Sequence, residues 1–153
     1  MRGFVILALA ALVAGCAGTY ARPKTPIQTT SAGVPGKSKV EILIGAPRAL
    51  VGNGYQITAF DDAAGVISTA PRDLRITPEL ADCGTTMGID YLKDIRTTTR
   101  VAFGIIASEG RLEVKANIEG EYKPGSTIQN ITLTCVSRGA LDQEMLQKVL
   151  AAI

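Results

Sequence analysis

The strongest constraint on the fold is a strict alternation of apolar and polar residues in the stretch Arg111–Tyr122. The two alternating sets are Leu112, Val114, Ala116, Ile118 and Tyr122 on one side, and Glu113, Lys115, Asn117, Glu119 and Glu121 on the other. A period of two places successive side chains on opposite faces of a β-strand, so this strand is predicted to have one buried face and one wet face. The stretch 98–107 is predicted to pair with it through a tight turn at 108–110.

A second hairpin is predicted earlier in the chain. The stretches 55–60 and 66–70 have the composition of strands, and the residues between them include Asp61, Asp62 and Gly65, which favour a turn.

Two further segments complete the predicted sheet region. The stretch 128–136 has the pattern of another strand, on which Cys135 is expected to point inward. A long connection, 71–96, separates the two hairpins, and a short helix is predicted near 91–95. A loop of this length is uncommon in a compact domain unless it is functional or pinned.

The C-terminal stretch is predicted to be an amphipathic helix. Its apolar stripe consists of Leu141, Met145, Leu146, Val149, Leu150 and Ile153. Asp142 and Glu144 lie near its start, where the helix dipole favours acidic side chains.

The first ordered element, within 40–51, leaves two interpretations open. Its apolar residues fall near helical spacing, but Gly45 and Pro47 interrupt the pattern. The element is either one helix, or a short strand at 40–44 followed by a helix with Pro47 in its first turn, where proline is favourable.

This order of elements predicts an α+β domain. Its antiparallel sheet of about five strands is expected to be covered on one face by an N-terminal and a C-terminal helix. Residues 39–153 are assigned to this domain, because the length suits one hydrophobic core and no more.

Two cysteines of this domain, Cys83 and Cys135, are predicted to form a disulfide, which would pin the long connection. The alternative is a redox or nucleophilic thiol. The chain has no C-x-x-C motif and no histidine to lower a thiol pKa, so the structural bridge is favoured.

The N-terminus has the features of a targeting segment. A short apolar run follows Arg2 and ends in the residues Leu12, Val13, Ala14, Gly15 and Cys16. The run is too short to span a membrane, but it suits the apolar region of a signal peptide. The pentapeptide resembles the lipobox of bacterial lipoprotein precursors. That resemblance implies cleavage of residues 1–15 and acylation of Cys16. The alternative is an ordinary secretory signal cut elsewhere, for example after Ala21.

The location follows from the same resemblance. Ala17, in place of the Asp that holds many enterobacterial lipoproteins at the inner membrane, implies an outer-membrane protein that faces the periplasm. Residues 16–38 are rich in small residues and proline, and they are predicted to be a flexible tether.

The stretch 54–69 reads Gly-Tyr-Gln-Ile-Thr-Ala-Phe-Asp-Asp-Ala-Ala-Gly-Val-Ile-Ser-Thr. This order of glycine, apolar strand, Asp turn, glycine and strand resembles the envelope lipoprotein domains of the BamC type, which are accessory to outer-membrane protein assembly. The single domain, the disulfide and the long connection depart from that pattern. The resemblance implies a non-catalytic accessory role.

Several groups of polar residues have the chemistry of candidate sites. Asp61 and Asp62 are suitable calcium ligands, but their spacing is not that of an EF-hand, and a hairpin turn explains them. The carboxylates Glu113, Glu119 and Glu121 are explained by a solvated sheet face.

Two other motifs are also assigned to structure. Asn130 begins a glycosylation sequon, which is discounted in a bacterial strand, and Ser137 has no histidine to activate it. No catalytic, metal or cofactor site is therefore predicted, and the charge balance of 16 basic to 14 acidic residues leaves no basic stripe for nucleic acid.

The predicted function is a non-enzymatic, membrane-anchored accessory subunit that binds a protein of an envelope complex, with the connection 71–96 as one contact surface. The alternative is a small-ligand or lipid-binding lipoprotein, with an apolar cavity between the sheet and a helix.

Overall fold

The structure, a computed structural model, describes residues 20–153, so the predicted signal peptide and Cys16 lie outside the described residues. The elements are, in chain order, β1 (Tyr20–Ala21), β2 (Thr30–Gly33), α1 (Lys39–Gly52), β3 (Ile57–Asp61), β4 (Val66–Thr69), β5 (Arg72–Asp73), β6 (Ala81–Asp82), β7 (Thr85–Thr86), β8 (Ile89–Asp90), a 3-10 turn (Tyr91–Lys93), β9 (Thr97–Ser108), β10 (Arg111–Tyr122), β11 (Ile131–Thr134), β12 (Val136–Ser137) and α2 (Ala140–Leu150).

The central sheet is antiparallel and contains seven strands instead of the expected five or so. Five strands follow the order β11-β10-β9-β4-β3, and β2 and β5 are the additional ones. Because β9 and β10 are each 12 residues long, one edge of each accommodates two short strands end to end. Strands β2 and β11 share an edge of β10, and β4 and β5 both pair with β9. The predicted mixture of helices with an antiparallel sheet is confirmed.

The β9–β10 hairpin has the predicted alternation. Leu112 lies opposite Ala107 and Val114 opposite Ile105, and these four side chains are buried. The residues between them in sequence are mostly exposed. A period-two pattern in a long strand therefore identified the buried face correctly.

Of the two interpretations of residues 40–51, the single helix is correct, because α1 runs through Gly45 and Pro47. Ser38 and Glu41 form a capping box at its start. Pro47 lacks the N–H that would bond to the carbonyl of Leu43, a loss typically worth about 3 kcal/mol in a helix interior. The helix continues because its apolar side is buried on both sides of the proline. These buried residues are Ile42, Leu43, Ala46, Ala49 and Leu50.

Helix α2 has the predicted apolar stripe, with Leu141, Met145, Leu146 and Val149 buried. The two helices contact each other, and α1 contacts β9 while α2 contacts β10. After α2 the chain crosses α1 at Gly45. A Cβ atom on Gly45 would lie 2.1 Å from Cγ2 of Ile153 and 2.7 Å from the carbonyl oxygen of Ala152.

The segment predicted to be a tether is part of the fold from Tyr20 onward. Strand β1 pairs with β7, and β2 pairs with residues 111–114 of β10. The flexible tether predicted for 16–38 is therefore wrong over the described residues. A weak strand sequence, Thr-Ser-Ala-Gly, extends the sheet because the free edge of β10 offers it hydrogen-bond partners.

The connection 71–96 contains four short strands and the 3-10 turn at Tyr91–Lys93, where a short helix was expected. Ile76, Ala81 and Leu92 are buried, so much of the connection belongs to the core. The disulfide between Cys83 and Cys135 joins it to the segment after β11. Cys135 also divides the predicted strand 128–136 into β11 and β12.

Candidate functional site

Exposed apolar side chains lie on α1 and on the edge strand β3. We define the edge surface as Val40, Ile44 and Val51 of α1 together with Phe60 of β3, whose exposed fractions are 61%, 52%, 59% and 51%. The helix residues are four and seven positions apart, which places them on one side of α1. Strand β3 ends the strand order of the sheet, and α1 contacts it.

Phe60 is the residue of this surface that belongs to the sheet. It lies opposite Ile67 in the register of β3 and β4, and Ile67 is fully buried. Directly opposed residues point to the same face, so Phe60 extends the core face of the sheet to its free edge. There it stays half exposed, next to the unpaired backbone groups of an edge strand.

The edge surface is held by polar contacts at both ends of α1. The Nζ atom of Lys39 donates to the carbonyl oxygen of Ala63 in the β3–β4 turn, over 2.9 Å. At the other end, Nη1 of Arg72 donates to the carbonyl oxygen of Asn53 over 2.7 Å. Lys39 thus joins the start of the helix to the hairpin, and Arg72 joins its end to β5.

A polar groove of about 780 Å³ lies beside β1, β7 and β8. Basic side chains of Arg22, Lys24 and Arg138 line it together with the acids Asp82 and Asp90. The mixed charge does not select an anion or a cation, and the groove contains no group of three His, Cys, Asp or Glu residues suited to a metal.

Asp82 binds the N-terminal segment at this groove through Lys24 and Thr25. Its Oδ2 accepts hydrogen bonds from the backbone amides of Lys24 and Thr25, over 3.0 and 3.1 Å, and its Oδ1 accepts one from Gly84 over 2.9 Å. Burial raises the pKa of this carboxyl, but the hydrogen bonds from Gly84, Thr25 and Lys24 together outweigh that effect and lower the pKa below its usual value.

A smaller cleft of about 250 Å³ is lined by residues of α2, of the sheet and of the connection 71–96. Tyr55, Phe103 and Met145 are among its buried lining residues, Arg75 is exposed beside them, and the half-buried Lys148 pairs with Glu144, which also lines the cleft. The guanidinium of Arg72, which also lines the cleft, stacks over the ring of Tyr55 at 4.5 Å. Burial raises the pKa of the Tyr55 phenol despite that positive charge.

The carboxylates considered as candidate sites take part in a turn hydrogen bond and in ion pairs. Asp61 accepts a hydrogen bond from the amide of Ala64 within the hairpin turn, over 2.8 Å. Glu113 pairs with Arg111, Glu119 with Arg100 and Glu121 with Lys123, at 2.9, 3.8 and 3.3 Å. Among the described residues, no group of three potential ligands is placed to hold a metal ion.

Asn130 and Ser137 each form a hydrogen bond with an acidic side chain. Asn130 precedes β11, contrary to the expectation that it lies inside a strand, and it donates to Glu121 over 3.0 Å. The hydroxyl of Ser137 donates to the carboxylate of Asp142. The structural roles of Asp82 and Asp142 were not predicted from the sequence, because both depend on backbone groups that are distant in the chain.

Neither a protein-family model nor a curated protein matches the sequence. Two solved structures resemble this one. The first is a DUF4468 family protein from Bacteroides ovatus, with a TM-score of 0.45 and 14% identity; the match covers 69% of this chain and 58% of that one. The second is a TBP-like protein from Parabacteroides distasonis, with a TM-score of 0.41 and 14% identity; the match covers 69% of this chain and 62% of that one. The chain thus matches less than two thirds of the length of either neighbour. Likeness at this level carries no argument about activity, ligand or partner. Within residues 20–153, no helix combines the length and the apolar character needed to cross a membrane.

Proposed function

We propose that this protein is a bacterial lipoprotein, anchored by an acylated Cys16, whose domain binds a protein of an envelope complex as a non-catalytic accessory subunit. The observation that carries the proposal is the edge surface. Four large apolar side chains, each more than half exposed, lie on α1 and on the edge strand β3, which α1 contacts. Exposed apolar residues and open strand edges are features that protein partners use.

The cellular location in this proposal is the periplasmic side of the outer membrane. It is supported by the residues Leu12, Val13, Ala14, Gly15 and Cys16 and by the absence of Asp after the cysteine. A diacylated or triacylated cysteine gives a stable anchor, because two or more acyl chains hold a protein where one holds it only marginally.

The proposal includes the two helices as a layer over one face of the central sheet. Its support is the shared buried face of β9 and β10, together with the contacts of α1 with β9 and of α2 with β10. In that arrangement the helices do not obstruct the outer edge of β3. A partner strand is then able to extend the sheet there by backbone hydrogen bonds, while Phe60 and Ile44 supply apolar contact.

Affinity purification of the full-length protein from gently solubilised membranes tests this function. We expect the wild-type protein to retain a stoichiometric partner, and a photo-crosslinker at position 44 to label the same partner. The double variant Ile44→Glu with Phe60→Glu should lose it. Ile128→Glu is the matched control, because Ile128 is also 61% exposed but lies outside the edge surface.

Cys16→Ser separates the anchor from the binding surface. If the partner resides in the same membrane, this variant should lose lipidation and most of the captured partner while its domain stays folded. Retention of the partner by the Ile44 and Phe60 double variant would overturn the edge surface as the binding site. Absence of any crosslinked protein would overturn the accessory role.

A second candidate function is the binding of a small amphiphile in the cleft beside α2. It is favoured by one observation, the combination of buried aromatic residues with the exposed cation Arg75. Its volume of about 250 Å³ is slightly below the range of drug-sized ligand sites. Native mass spectrometry of the purified protein should find a bound molecule if this function is correct, and Phe103→Trp should remove it by filling the cleft.

A further inference from the structure

The tip of the β7–β8 hairpin exposes apolar side chains. Met87 is 86% exposed, more than any other large apolar residue of the described chain, and Ile89 is 63% exposed. The two residues of the turn, Met87 and Gly88, both have positive φ, 49° and 80°. Such two-residue turns favour Asn, Asp or Gly at both positions.

The conformation of this turn therefore does not explain why residue 87 is a methionine. A methionine in the left-handed region carries a conformational cost that asparagine or glycine would largely avoid. Its side chain also makes little contact with the rest of the domain, since most of its surface is in solvent. An apolar side chain in this position gains stability only from something outside the described domain.

The start of the described chain lies against this tip. Strand β1 pairs with β7 in an antiparallel register, with Ala21 opposite Thr85 and Tyr20 opposite Thr86. Because Met87 follows Thr86, the chain reaches the domain from the side of the hairpin tip. Tyr20 is firmly placed there. Its hydroxyl lies 3.3 Å from the carbonyl oxygens of Cys83 and Thr134, and it accepts a hydrogen bond from the amide of Thr134 over 3.0 Å.

Few residues separate the predicted anchor, Cys16, from strand β1, so the distance between them is short. Cys16 precedes Tyr20 by four positions in the sequence. Even a fully extended chain of that length spans at most about 14 Å. If the acyl chains on Cys16 are buried in a bilayer, Tyr20 and the adjacent hairpin tip lie close to the headgroups of the same leaflet.

We propose that the β7–β8 tip, through Met87 and Ile89, inserts into the lipid leaflet that holds the anchor. This inference rests on the proposed acylation of Cys16, and it adds a second, non-covalent contact that fixes the orientation of the domain. The occupant of the exposed tip is the lipid surface itself. Arg22 and Lys24 follow β1 closely and line the groove beside the hairpin, so they favour a membrane that contains anionic lipid.

Contact between the β7–β8 tip and the membrane would orient the central sheet. Strand β1 is joined to β11 through the Tyr20–Thr134 hydrogen bonds, whereas β3 is at the other end of the strand order. A domain held at its β7–β8 tip therefore leaves the strand β3 end of the sheet away from the anchor.

The test uses full-length, lipidated protein reconstituted in vesicles of phosphatidylethanolamine and phosphatidylglycerol, with lipids brominated on their acyl chains. The chain contains no tryptophan, so a single introduced one reports its own surroundings. Met87→Trp and Ile89→Trp should each show bromine quenching and a blue-shifted emission. Phe60→Trp is the matched control, because Phe60 is also exposed but lies on β3, and its emission should be unquenched.

The outcomes separate this inference from the proposed function. Mass spectrometry of the purified protein reports the lipid adduct on Cys16 directly. If the adduct is present and Met87→Trp and Ile89→Trp are not quenched, the insertion is wrong and the anchor stands. If the adduct is absent, the lipoprotein assignment fails, and the insertion that rests on it fails too. Emission that is blue-shifted only in native membranes, and not in vesicles, would instead indicate a protein at the tip and would overturn lipid insertion.

A second variant measures the effect of the contact. In an unlipidated Cys16→Ser protein that lacks residues 1–15, partition onto the same vesicles depends on the tip and on the basic residues Arg22 and Lys24 beside it. We expect Met87→Ser to reduce that partition about tenfold, because burial of one such side chain contributes on this scale. Equal partition of the Cys16→Ser protein with and without Met87→Ser would contradict the proposal.

Discussion

The carboxylate of Asp142 accepts a hydrogen bond from the backbone amide of Ala116 over 2.7 Å. Ala116 lies in the part of β10 between the residues paired with β2 and those paired with β11. A side chain of α2 thus satisfies a backbone group that no strand reaches. The same carboxylate accepts the hydroxyl hydrogen of Ser137, and Asp142 is only 2% exposed.

Asp142→Ala should destabilise the domain by about 1–3 kcal/mol, because it leaves a buried amide without an acceptor. Asp142→Asn should cost less, since its amide oxygen still accepts from Ala116. Asp62→Ala is the matched control in an exposed turn, with an expected change within about 0.5 kcal/mol. Urea denaturation measures all three, and equal stability of Asp142→Ala and Asp62→Ala would contradict the role of Asp142.

The hydrogen bonds to Asp82 predict a pH-dependent contribution to stability. Because the folded-state pKa is lowered, this contribution is complete well above the unfolded value of about 3.9 and is lost as the pH falls through the folded value. The free energy of unfolding of the wild type should therefore exceed that of Asp82→Asn at pH 7, and the difference should shrink below about pH 4. Asp62→Asn removes the same charge from an exposed position and controls for net charge. A difference that stays constant down to pH 2.5 would refute this prediction.

Removal of the disulfide should lower stability substantially. Cys83 and Cys135 are 52 positions apart, and the chain-entropy model gives about 4 kcal/mol for a loop of that length. We expect the double variant Cys83→Ser with Cys135→Ser to unfold at a much lower urea concentration. A reducing agent should shift the wild type toward the same midpoint and leave the double variant unchanged. An equal response of both proteins to the reducing agent would show that the bridge is not the stabilising element.

Gly45 should be intolerant of a larger residue. In Gly45→Ala the new methyl group meets Ile153 and the backbone of Ala152, and relief of such overpacking typically costs about 1–3 kcal/mol. Gly52→Ala is the matched control in the same helix, because a Cβ there has no neighbour within 4 Å, and it should be neutral or slightly stabilising. Thermal unfolding distinguishes the two. Adding Ile153→Ala to Gly45→Ala should recover part of the loss, and no recovery would place the strain entirely at the backbone of Ala152.

Much of the β-structure follows from local patterns in the sequence. The hairpin of β9 and β10 was predictable because period-two alternation over 12 residues admits one buried face. Strand β2 was not predictable, because Thr30–Gly33 becomes a strand only where β10 leaves an edge unpaired. Pro47 made α1 ambiguous, since the packing of Leu43 and Leu50 that keeps the helix intact comes from distant strands.

The surfaces were harder to foresee than the elements. The sequence placed Val40 and Ile44 in an apolar pattern, but only the packing of α1 through its other side decides that they stay exposed. The role of Asp142 depends on where β2 ends and β11 begins, which no local pattern encodes. The exposed tip at Met87 lies in a connection whose four short strands have almost no signal of their own.

The hydrogen bonds of Tyr20 also have a consequence for the order of folding. Thr134, its partner, is synthesised 114 residues later, and β2 must wait for β10. A chain that emerges N-terminus first from a ribosome or a translocation channel therefore cannot close its sheet until nearly all of it has emerged. Such distant pairings slow folding, because a long loop must be ordered before its contacts form. The complete sheet is thus acquired only after most of the chain has been synthesised.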